Sequence, residues 1–527
     1  MKEVLLVNII GIIINNLIPI SKKRSREIGM IVSIINLNII LAKILTFNNN
    51  NNEYQDRIDF LGYSFGWDGL GISLIGLIAV IEPIIILLVK GEKKEEKERK
   101  RIINNLLLIK ILLIILFSTL DLFIFFISFE LILIPMFILI TRYGSKYKYF
   151  LPRLEAGLRF FIFTMMGSLL MLISIIIFYT KFGTTSNELL NIKISHIITI
   201  QDLSQIKLLQ IIWLFLFFSF LIKIPMFPFH TWLPLAHSDA PTIGSIILAA
   251  ILLKLGSFGI LRYSLLLFTP LTSWKDLVVD NNVRIYDIYL PVIYILALLS
   301  IFYSSILTIR GLFDLKKIIA YSSIIHMNFS IFGFFSQDYI GLIGSTLLIF
   351  THAFISSALF ILIGILYKRY HSRFLFYYQG LANTLPLFSF FFILFSFANI
   401  SLPFCSSFLS ELFILISTYH ANPIISLLLS LSLIFSSSFV MWFAIRLLFG
   451  LPSPHLISLI TTVSSYKDIR DNLINQNKDS SSLIIGYKDL TYTEFMSLFP
   501  FLFFTIFFTF FPKSIISIFS LSLLFFI

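Results

Sequence analysis

The sequence contains a single cysteine, Cys405, among 527 residues. One cysteine excludes an internal disulfide framework and any site built from several thiolates. Charged residues are also scarce: they make up 13% of the chain, whereas hydrophobic residues make up 57%. A soluble domain carries about 25% charged residues. The composition therefore excludes a soluble protein and indicates a chain that crosses a membrane many times.

Long apolar runs occupy most of the chain. About 20 apolar residues span a bilayer as a helix, and lipid offers no partner for the open backbone groups of other structures. The runs therefore predict an all-α polytopic membrane protein with about 14 transmembrane helices. A hydrophobic tail after the last run predicts either its extension or a short helix of its own. The predicted helices 1–14 cover residues 3–20, 28–47, 69–89, 102–120, 122–141, 157–180, 208–229, 241–262, 290–309, 317–336, 340–367, 386–419, 423–449 and 496–512.

The formal net charge of +12 comes from basic residues in short loops between the apolar runs. If successive loops alternate between the two sides, one side holds about three times as many Lys and Arg residues as the other. The basic run 91–101 and the long polar loop 450–492 fall on that side, and we expect the latter to contact neighbouring proteins. By the positive-inside rule the basic side faces the matrix or cytoplasm. Nucleic acid is not needed to explain the charge.

The order of the helices predicts an internal symmetry. Helices 4–8 and 9–13 form two sets of five, and an odd number inserts the second set upside down, as in the inverted repeats of many transporters. The fourth helix of each set is interrupted, helix 7 near Lys223 by Pro225 and Pro228, and helix 12 near residues 398–403. Matching interruptions indicate an ion site. The chain thus divides into an N-terminal three-helix segment with its basic loop (1–101), the two repeats (102–262 and 263–449) and a matrix-side loop with the C-terminal helix (450–527).

Ionisable side chains stand in the middle of several apolar runs. Glu130 lies in predicted helix 5, Lys223 in helix 7, Lys254 in helix 8 and Glu411 in helix 12. Each costs about 2.5–3.5 kcal/mol at the bilayer centre, so these groups must face a polar interior, pair with one another or become neutral. Acids and amines linked by water pass protons, because each transfer changes the charge that its neighbour senses. A static ion pair that fixes two helices, such as Glu130 with Lys223, is the alternative.

Other polar residues in the runs carry less weight. His326 and His352, in predicted helices 10 and 11, are either relay groups or hydrogen-bonded core histidines. His230 and His237 lie at the membrane boundary, fit a structural hairpin and lack a third ligand for a metal. Lys110 is deep in predicted helix 4, with no partner apparent. The sequence shows no place for NADH, flavin or an iron–sulfur cluster.

Several segments together resemble one family: FELILIPMF, LIKIPMFPFHTWLPLAHSDAP, GSIILAAILLKLGSFGILR, FDLKKIIAYSSIIHM, LPFCSSFLSELFIL and DLTYTEF. In these segments the chain resembles the antiporter-like subunits of respiratory complex I, the NADH:ubiquinone oxidoreductase. The IPMF and DLKKIIAYSSIIHM segments favour the mitochondrial chain 4 family over chains 2 and 5. The resemblance runs from about residue 65 to residue 512. The chain departs from the family at Asp239, where glutamate is usual, and at Ala353 and Ser410, where glycine is usual.

The resemblance implies a proton channel in the membrane arm, so that the whole complex is an H+-translocating NADH:ubiquinone reductase. It implies that Glu130 pairs with Lys223, that Lys254 is the central proton carrier, and that Glu411 passes the proton towards the outlet. The family's two histidines that match His326 and His352 would carry the path across the middle. The implied catalytic residues are thus Glu130, Lys223, Lys254, His326, His352 and Glu411.

The resemblance also implies the surroundings of the chain. NADH, FMN, iron–sulfur clusters and ubiquinone act elsewhere in the complex, so this chain binds no cofactor and no metal. The expected partners are other membrane-arm subunits, especially the chain 2 and chain 5 antiporter-like subunits, with supernumerary subunits and lipids such as cardiolipin, and no nucleic acid. The expected location is the mitochondrial inner membrane, with basic loops on the matrix side.

Two other functions fit the same charges. One is a subunit of a cation/proton antiporter, which would share the acids and amines of the apolar runs. The other is a scaffold that transports nothing and whose charges only hold helices together. Replacing Lys254 by a neutral residue separates a scaffold from a transporter, and NADH-linked quinone reductase activity of the assembly separates complex I from an antiporter.

Overall fold

The computed structural model describes residues 1–17, 24–48, 54–60, 62–89, 96–144, 151–200, 203–268, 287–311, 313–336, 338–451 and 489–524. Most of the loop 450–492 and the start of the basic run 91–101 lie outside these residues. Within them the chain is largely helical.

The first half of the chain contains helices that match predicted helices 1–8, with two strands between the second and the third. The elements are α1 Lys2–Leu17, α2 Ser25–Thr46, β1 Gln55–Phe60, β2 Tyr63–Trp67, α3 Gly69–Val89, α4 Glu96–Ser118, α5 Leu122–Leu131, α6 Leu133–Tyr143, α7 Leu151–Phe182, α8 Asn187–Ile200, α9 Leu203–Lys223, α10 Trp232–Asp239, α11 Thr242–Ile247, a π-helix Leu248–Leu252, α12 Leu253–Gly259, a second π-helix Ile260–Leu265 and a 3-10 turn Leu266–Phe268.

The second half is helical apart from short turns. Its elements are a 3-10 turn Asp287–Tyr289, α13 Leu290–Gly311, α14 Leu315–Phe335, α15 Tyr339–Tyr370, a 3-10 turn Leu375–Tyr377, α16 Leu381–Thr384, α17 Pro386–Ile400, α18 Ser406–Ala421, α19 Pro423–Leu448, α20 Tyr492–Phe510 and α21 Lys513–Leu524. The hydrophobic tail therefore forms a helix of its own.

Among the described residues, 12 helices are long and apolar enough to cross a membrane. The two other predicted helices correspond to α1, which has 16 residues, and to the separate helices α17 and α18. The expectation of an all-α polytopic membrane protein is confirmed. The total of fourteen crossings and the inverted symmetry remain predictions.

Several elements between the membrane helices were not predicted, among them two strands and helix α8. Strands β1 and β2 pair in antiparallel fashion, and an isolated two-stranded hairpin is marginally stable in water. Helix α8 supports it, because Arg57 of β1 donates hydrogen bonds of 3.0 and 3.2 Å to the Glu188 carboxylate.

Ionic contacts join one group of helix connections. Arg373, after α15, lies 3.7 Å from Asp239 at the end of α10 and 4.0 Å from Asp314 before α14. Arg369, near the end of α15, pairs with Glu494 in the first turn of α20 at 2.5 Å. These are the connections 7–8, 9–10, 11–12 and 13–14 of the predicted helices, which alternating crossings place on one side.

A second group of ionic contacts joins the helix connections that alternating crossings place on the opposite side of the membrane. Asp68, before α3, pairs with Arg262 in the second π-helix at 2.9 Å. Asp338, before α15, lies 3.2 Å from the His420 ring near the end of α18. These are connections 2–3, 8–9, 10–11 and 12–13, which alternating crossings place on the opposite side. Which side faces the matrix remains a prediction.

Candidate functional site

The chain leaves the helical conformation directly after Lys223, the last residue of α9. Irregular backbone inside a membrane is tolerated only where other groups of the protein satisfy it. Side chains of neighbouring elements do so here. Trp232 Nε1 donates to the Ile222 carbonyl (3.1 Å), Asn328 Nδ2 donates to the Pro225 carbonyl (3.3 Å), and the Phe227 amide donates to Ser300 Oγ (2.7 Å).

The Lys223 ammonium is buried without a hydrogen bond. Its side chain is 1% exposed, and among the described residues Nζ has no hydrogen-bond partner. Instead, Nζ lies 4.5 Å from the ring centroid of Phe129 and 5.8 Å from that of Phe160. Aromatic faces attract a cation, but they leave its N–H groups free. Such an ammonium is available to a water molecule or a shifting partner.

Glu130 is half-buried in α5, beside the Phe129 ring that covers the lysine. The carboxylate and the Lys223 ammonium interact electrostatically, yet no ion pair within 4.0 Å joins them in the described chain. The predicted pair is therefore not a direct contact in this structure. A pair held at a distance responds to charge without the cost of breaking a buried hydrogen bond.

Helix α12 passes close to Lys223 at a glycine. A Cβ added at Gly256 would lie 3.2 Å from Lys223 Cβ and 2.6 Å from a side-chain carbon of Ile224. Only a residue without a side chain fits this crossing. The glycine thus brings the helix that carries Lys254 against the break that carries Lys223.

Lys254 follows a π-helix, Leu248–Leu252, in the middle of its membrane helix. Its side chain is 1% exposed. Nζ donates to the Ala249 carbonyl at 2.7 Å and lies 2.9 Å from Nδ1 of His352. Single π-helical turns are frequent at functional sites. Here the turn lies next to the lysine and supplies the carbonyl that holds it.

His326 of α14 lies between two oxygen atoms. Its Nδ1 is 3.1 Å from Glu411 Oε1 of α18, and its Nε2 is 3.0 Å from Asn399 Oδ1 of α17. The Glu411 side chain is 5% exposed. A ring N–H donates to an oxygen that faces it, so the ring is fixed between a carboxylate and an amide.

The break in predicted helix 12 brings Asn399 and Glu411 to this histidine. Helix α17 ends at Ile400, where Ser401 adopts a left-handed conformation with φ of 64°. Ser407 Oγ donates to the Ala398 carbonyl at 2.6 Å and so satisfies one backbone group that the break leaves open. The interruption predicted from the sequence therefore lies beside the acid that it was expected to accompany.

The two hydrogen-bonded pairs meet at their histidines. The rings of His326 and His352 have centroids 5.6 Å apart. No hydrogen bond joins the rings within the described residues, and Nε2 of His352 is buried without a partner there. The structure thus brings four of the six predicted residues into one line: Lys254, His352, His326 and Glu411.

A second buried pair was missed by sequence reasoning. The Lys110 ammonium of α4 donates to Oε2 of Glu82 in α3, and the side chains are 2% and 8% exposed. No partner of Lys110 was apparent in the sequence, and the structure places Glu82 against it. Glu82 stands inside the apolar run of predicted helix 3, so the rule that identified Glu130 also applies to it.

The two boundary histidines pack against aromatic rings. His237 stacks on Phe360 with centroids 4.6 Å apart, and His230 lies against Tyr303 at 5.1 Å. Both ring nitrogens of His237 are buried and make no hydrogen bond within the described residues. Across all residues that the structure describes, no group of three or more His, Cys, Asp and Glu residues could hold a metal ion.

Comparison with known proteins places this arrangement in a family. Residues 119–437, which include all six predicted site residues, match the family described as NADH:quinone oxidoreductase/Mrp antiporter, TM. NADH-ubiquinone oxidoreductase chain 4 of Chondrus crispus is 38% identical over 450 residues, which cover 84% of this chain and 85% of that protein. The chain belongs to this family, among its chain 4 members.

A second chain 4 protein is similar in sequence, and two solved structures are similar in fold. NADH-ubiquinone oxidoreductase chain 4 of Marchantia polymorpha is 36% identical over 465 residues, covering 87% of this chain and 88% of that protein. A chain of respiratory complex I from Thermus thermophilus with bound NADH has the same fold, with a TM-score of 0.76, 23% identity and 99% of each chain covered. A chain of the archaeal membrane-bound sulfane sulfur reductase aligns with a TM-score of 0.75 and 21% identity, covering 96% of this chain and 75% of that one.

Proposed function

We propose that this chain translocates protons in the membrane arm of a mitochondrial complex I, while other subunits transfer electrons from NADH to ubiquinone. One observation carries the proposal: a fully buried lysine is hydrogen-bonded to a histidine, next to a second histidine that contacts a buried glutamate. Buried ionisable groups in a line are costly and mark ion paths. The assignment to complex I rests on the similarity of this chain to NADH-ubiquinone oxidoreductase chain 4 proteins.

The first transfer is a proton shift between Lys254 and His352. At 2.9 Å between Nζ and Nδ1, a charged lysine donates to the bare nitrogen, and the proton crosses a short hydrogen bond. The lysine is then neutral and remains bonded to the Ala249 carbonyl. The charge has moved from α12 to α15.

The second transfer carries the charge from His352 to Glu411. His326 receives a proton from His352 and releases the one on Nδ1 to the Glu411 carboxylate, 3.1 Å away. Because no hydrogen bond joins the two rings within the described residues, we infer that a water molecule bridges them. Glu411 then stands neutral and passes the proton towards the outlet.

The positive charge of Lys223 repels the proton on Lys254 and so promotes the first transfer. Its ammonium lies beside the helix of Lys254, and like charges in a medium of low dielectric repel strongly. When the distance between Glu130 and Lys223 grows, the uncompensated positive charge favours neutral Lys254 and drives its proton onto His352. Because no direct ion pair holds Lys223, this change costs no broken hydrogen bond.

The setting follows from the relatives. We infer an inner mitochondrial membrane location with the basic loops in the matrix, contacts with chain 2 and chain 5 subunits, supernumerary subunits and lipids such as cardiolipin, and NADH, FMN, iron–sulfur clusters and ubiquinone bound elsewhere. The NADH-ubiquinone oxidoreductase relatives favour this assignment over a cation/proton antiporter.

The deciding experiment uses the purified assembly in sealed vesicles. We expect NADH-driven ubiquinone reduction to acidify one side of the membrane, without a requirement for sodium or potassium ions. Cation-dependent proton exchange in the absence of NADH would instead indicate an antiporter. Unchanged pumping by an assembly with Lys254→Met would indicate a scaffold.

A further inference from the structure

Both ring nitrogens of His326 are occupied. Nδ1 contacts the Glu411 carboxylate and Nε2 contacts Oδ1 of Asn399, at 3.1 and 3.0 Å. A proton arriving from His352 needs a nitrogen of this ring that carries no proton and faces the bridging water molecule. The contact with Glu411 is the exit of the same step, so the contact with Asn399 must open.

Asn399 lies where such movement is easiest. It is the second-last residue of α17, directly before the break at Ser401. Its side-chain amide nitrogen makes no hydrogen bond with any described residue, whereas its oxygen is held only by His326. Rotation of this buried amide breaks only one hydrogen bond, so its cost in free energy is small.

A cavity of about 10 Å³ borders the asparagine, between α14, α15, α17 and α19. This is the space that one water molecule needs. Besides Asn399, its polar lining residues are Ser322 and Ser396. Their hydroxyl groups donate to the carbonyls of Ile319 and Ile393, both at 2.8 Å, which leaves the oxygen lone pairs free to accept.

We propose that Asn399 is a gate between the two histidines. When the neutral ring carries its proton on Nδ1, the bare Nε2 offers the amide oxygen no donor. The amide then rotates to the water and hydroxyl groups of the cavity, and Nε2 can accept a proton from a bridging water molecule. Once Nε2 is protonated, the amide oxygen accepts from it and closes the ring to His352, while the proton on Nδ1 passes to Glu411. Asn399 is thus a positioning residue that acts through His326, and this inference rests on the proposed proton path.

Three substitutions separate the gate from a structural role, each tested in the assembled complex in sealed vesicles. Asn399→Leu fills the opening, and we expect coupled turnover to fall about a hundredfold, the lower end of what one general acid–base step contributes. Asn399→Ala leaves the opening permanently wet, and we expect turnover to persist while fewer protons move per NADH.

Asn399→Asp keeps the shape and adds a negative charge next to His326. The titratable groups that face this ring are Glu411 on α18 and His352 on α15. We expect the alkaline limb of the pH profile to move up by about one unit, because an adjacent anion favours the imidazolium. Asn36→Ala removes another buried amide, which among the described residues bonds only to Asn8, and controls for the loss of a buried asparagine.

The outcomes are decisive in each case. Wild-type turnover, proton ratio and pH profile in the isosteric Asn399→Asp variant would overturn the gate. Identical effects of Asn399→Ala and Asn36→Ala would overturn it as well. If all Asn399 variants pump normally while Lys254→Met does not, the gate fails and the proton path stands. Normal pumping by the Lys254→Met variant would contradict both the gate and the proton path.

Discussion

The Nζ atom of Lys254 lies 2.9 Å from Nδ1 of His352, across the contact between α12 and α15. Only one proton fits between the two nitrogens, so one of them donates and the other accepts. The pair therefore carries a proton that either side chain can hold. Its burial removes competing water, which strengthens the dependence of that proton on nearby charges.

The histidine of this pair is open to a direct test. We expect His352→Leu to lower coupled ubiquinone reduction at least about tenfold, because Lys254 then has no acceptor besides a carbonyl. His420→Leu is the matched control, since its ring lies near the surface beside Asp338, and it should leave turnover unchanged. Equal turnover of both variants in the NADH–ubiquinone assay would argue against the relay.

Glu82 and Lys110 form a pair with a different role. Removing one partner of a buried ion pair costs about 3–5 kcal/mol, whereas replacing both is often neutral. We expect Lys110→Met to lower the melting temperature of the assembled complex and Glu82→Gln with Lys110→Met to restore most of it. Pumping by the double variant should match the wild type. A double variant that is stable but no longer pumps would show that the pair belongs to the proton path.

Glu130 influences Lys223 without touching it. We therefore expect Glu130→Gln to leave the melting temperature unchanged and to lower coupled turnover several-fold, roughly the effect of about 1 kcal/mol in a transition-state barrier. Glu188→Gln, which removes an exposed carboxylate beside Arg57, should change neither. A large loss of stability in Glu130→Gln would reveal a direct ion pair in the assembled protein.

The Arg373 contact predicts a pH-dependent stability. Burial raises the pKa of Asp239 to about 6 and raises the pKa of Asp314 above its usual value. A carboxyl with a raised pKa in the folded state disfavours folding increasingly as pH rises from the ordinary aspartate pKa of about 4 to the folded value, because the unfolded chain ionises more easily. Arg373 opposes this cost only when the carboxylates are charged. Arg373→Gln should therefore lower the melting temperature more at pH 8 than at pH 5, and an equal loss at both values would contradict this account.

Much of the site was visible in the sequence because charge is rare in these helices. Lys254 and Glu411 stood out as single charges in long apolar runs, and proline positions indicated the break after Lys223. The same rule, applied to helix 3, would have found Glu82. Its contact with Lys110 depends on how α3 and α4 face each other, which an apolar run does not specify.

Other features depend on packing alone. The π-helix before Lys254 contains only apolar residues that are equally common in an α-helix. Its sequence therefore gives no sign of the π-helical conformation. Asn399 looked like one of several polar residues near a break until its contact with His326 was known. The resemblance to a family predicted a pair of Glu130 and Lys223. The structure instead places the Phe129 ring 4.5 Å from Nζ of Lys223, and within the described residues this Nζ makes no hydrogen bond to Glu130.

The most direct test of the account is the number of protons moved per NADH oxidised by the complex with Lys254→Met in sealed vesicles. We expect the complex to assemble, and we expect coupled turnover to fall at least about tenfold, with too little proton movement left to sustain a gradient. Assembly with wild-type turnover and a wild-type proton ratio would show that protons do not pass through Lys254.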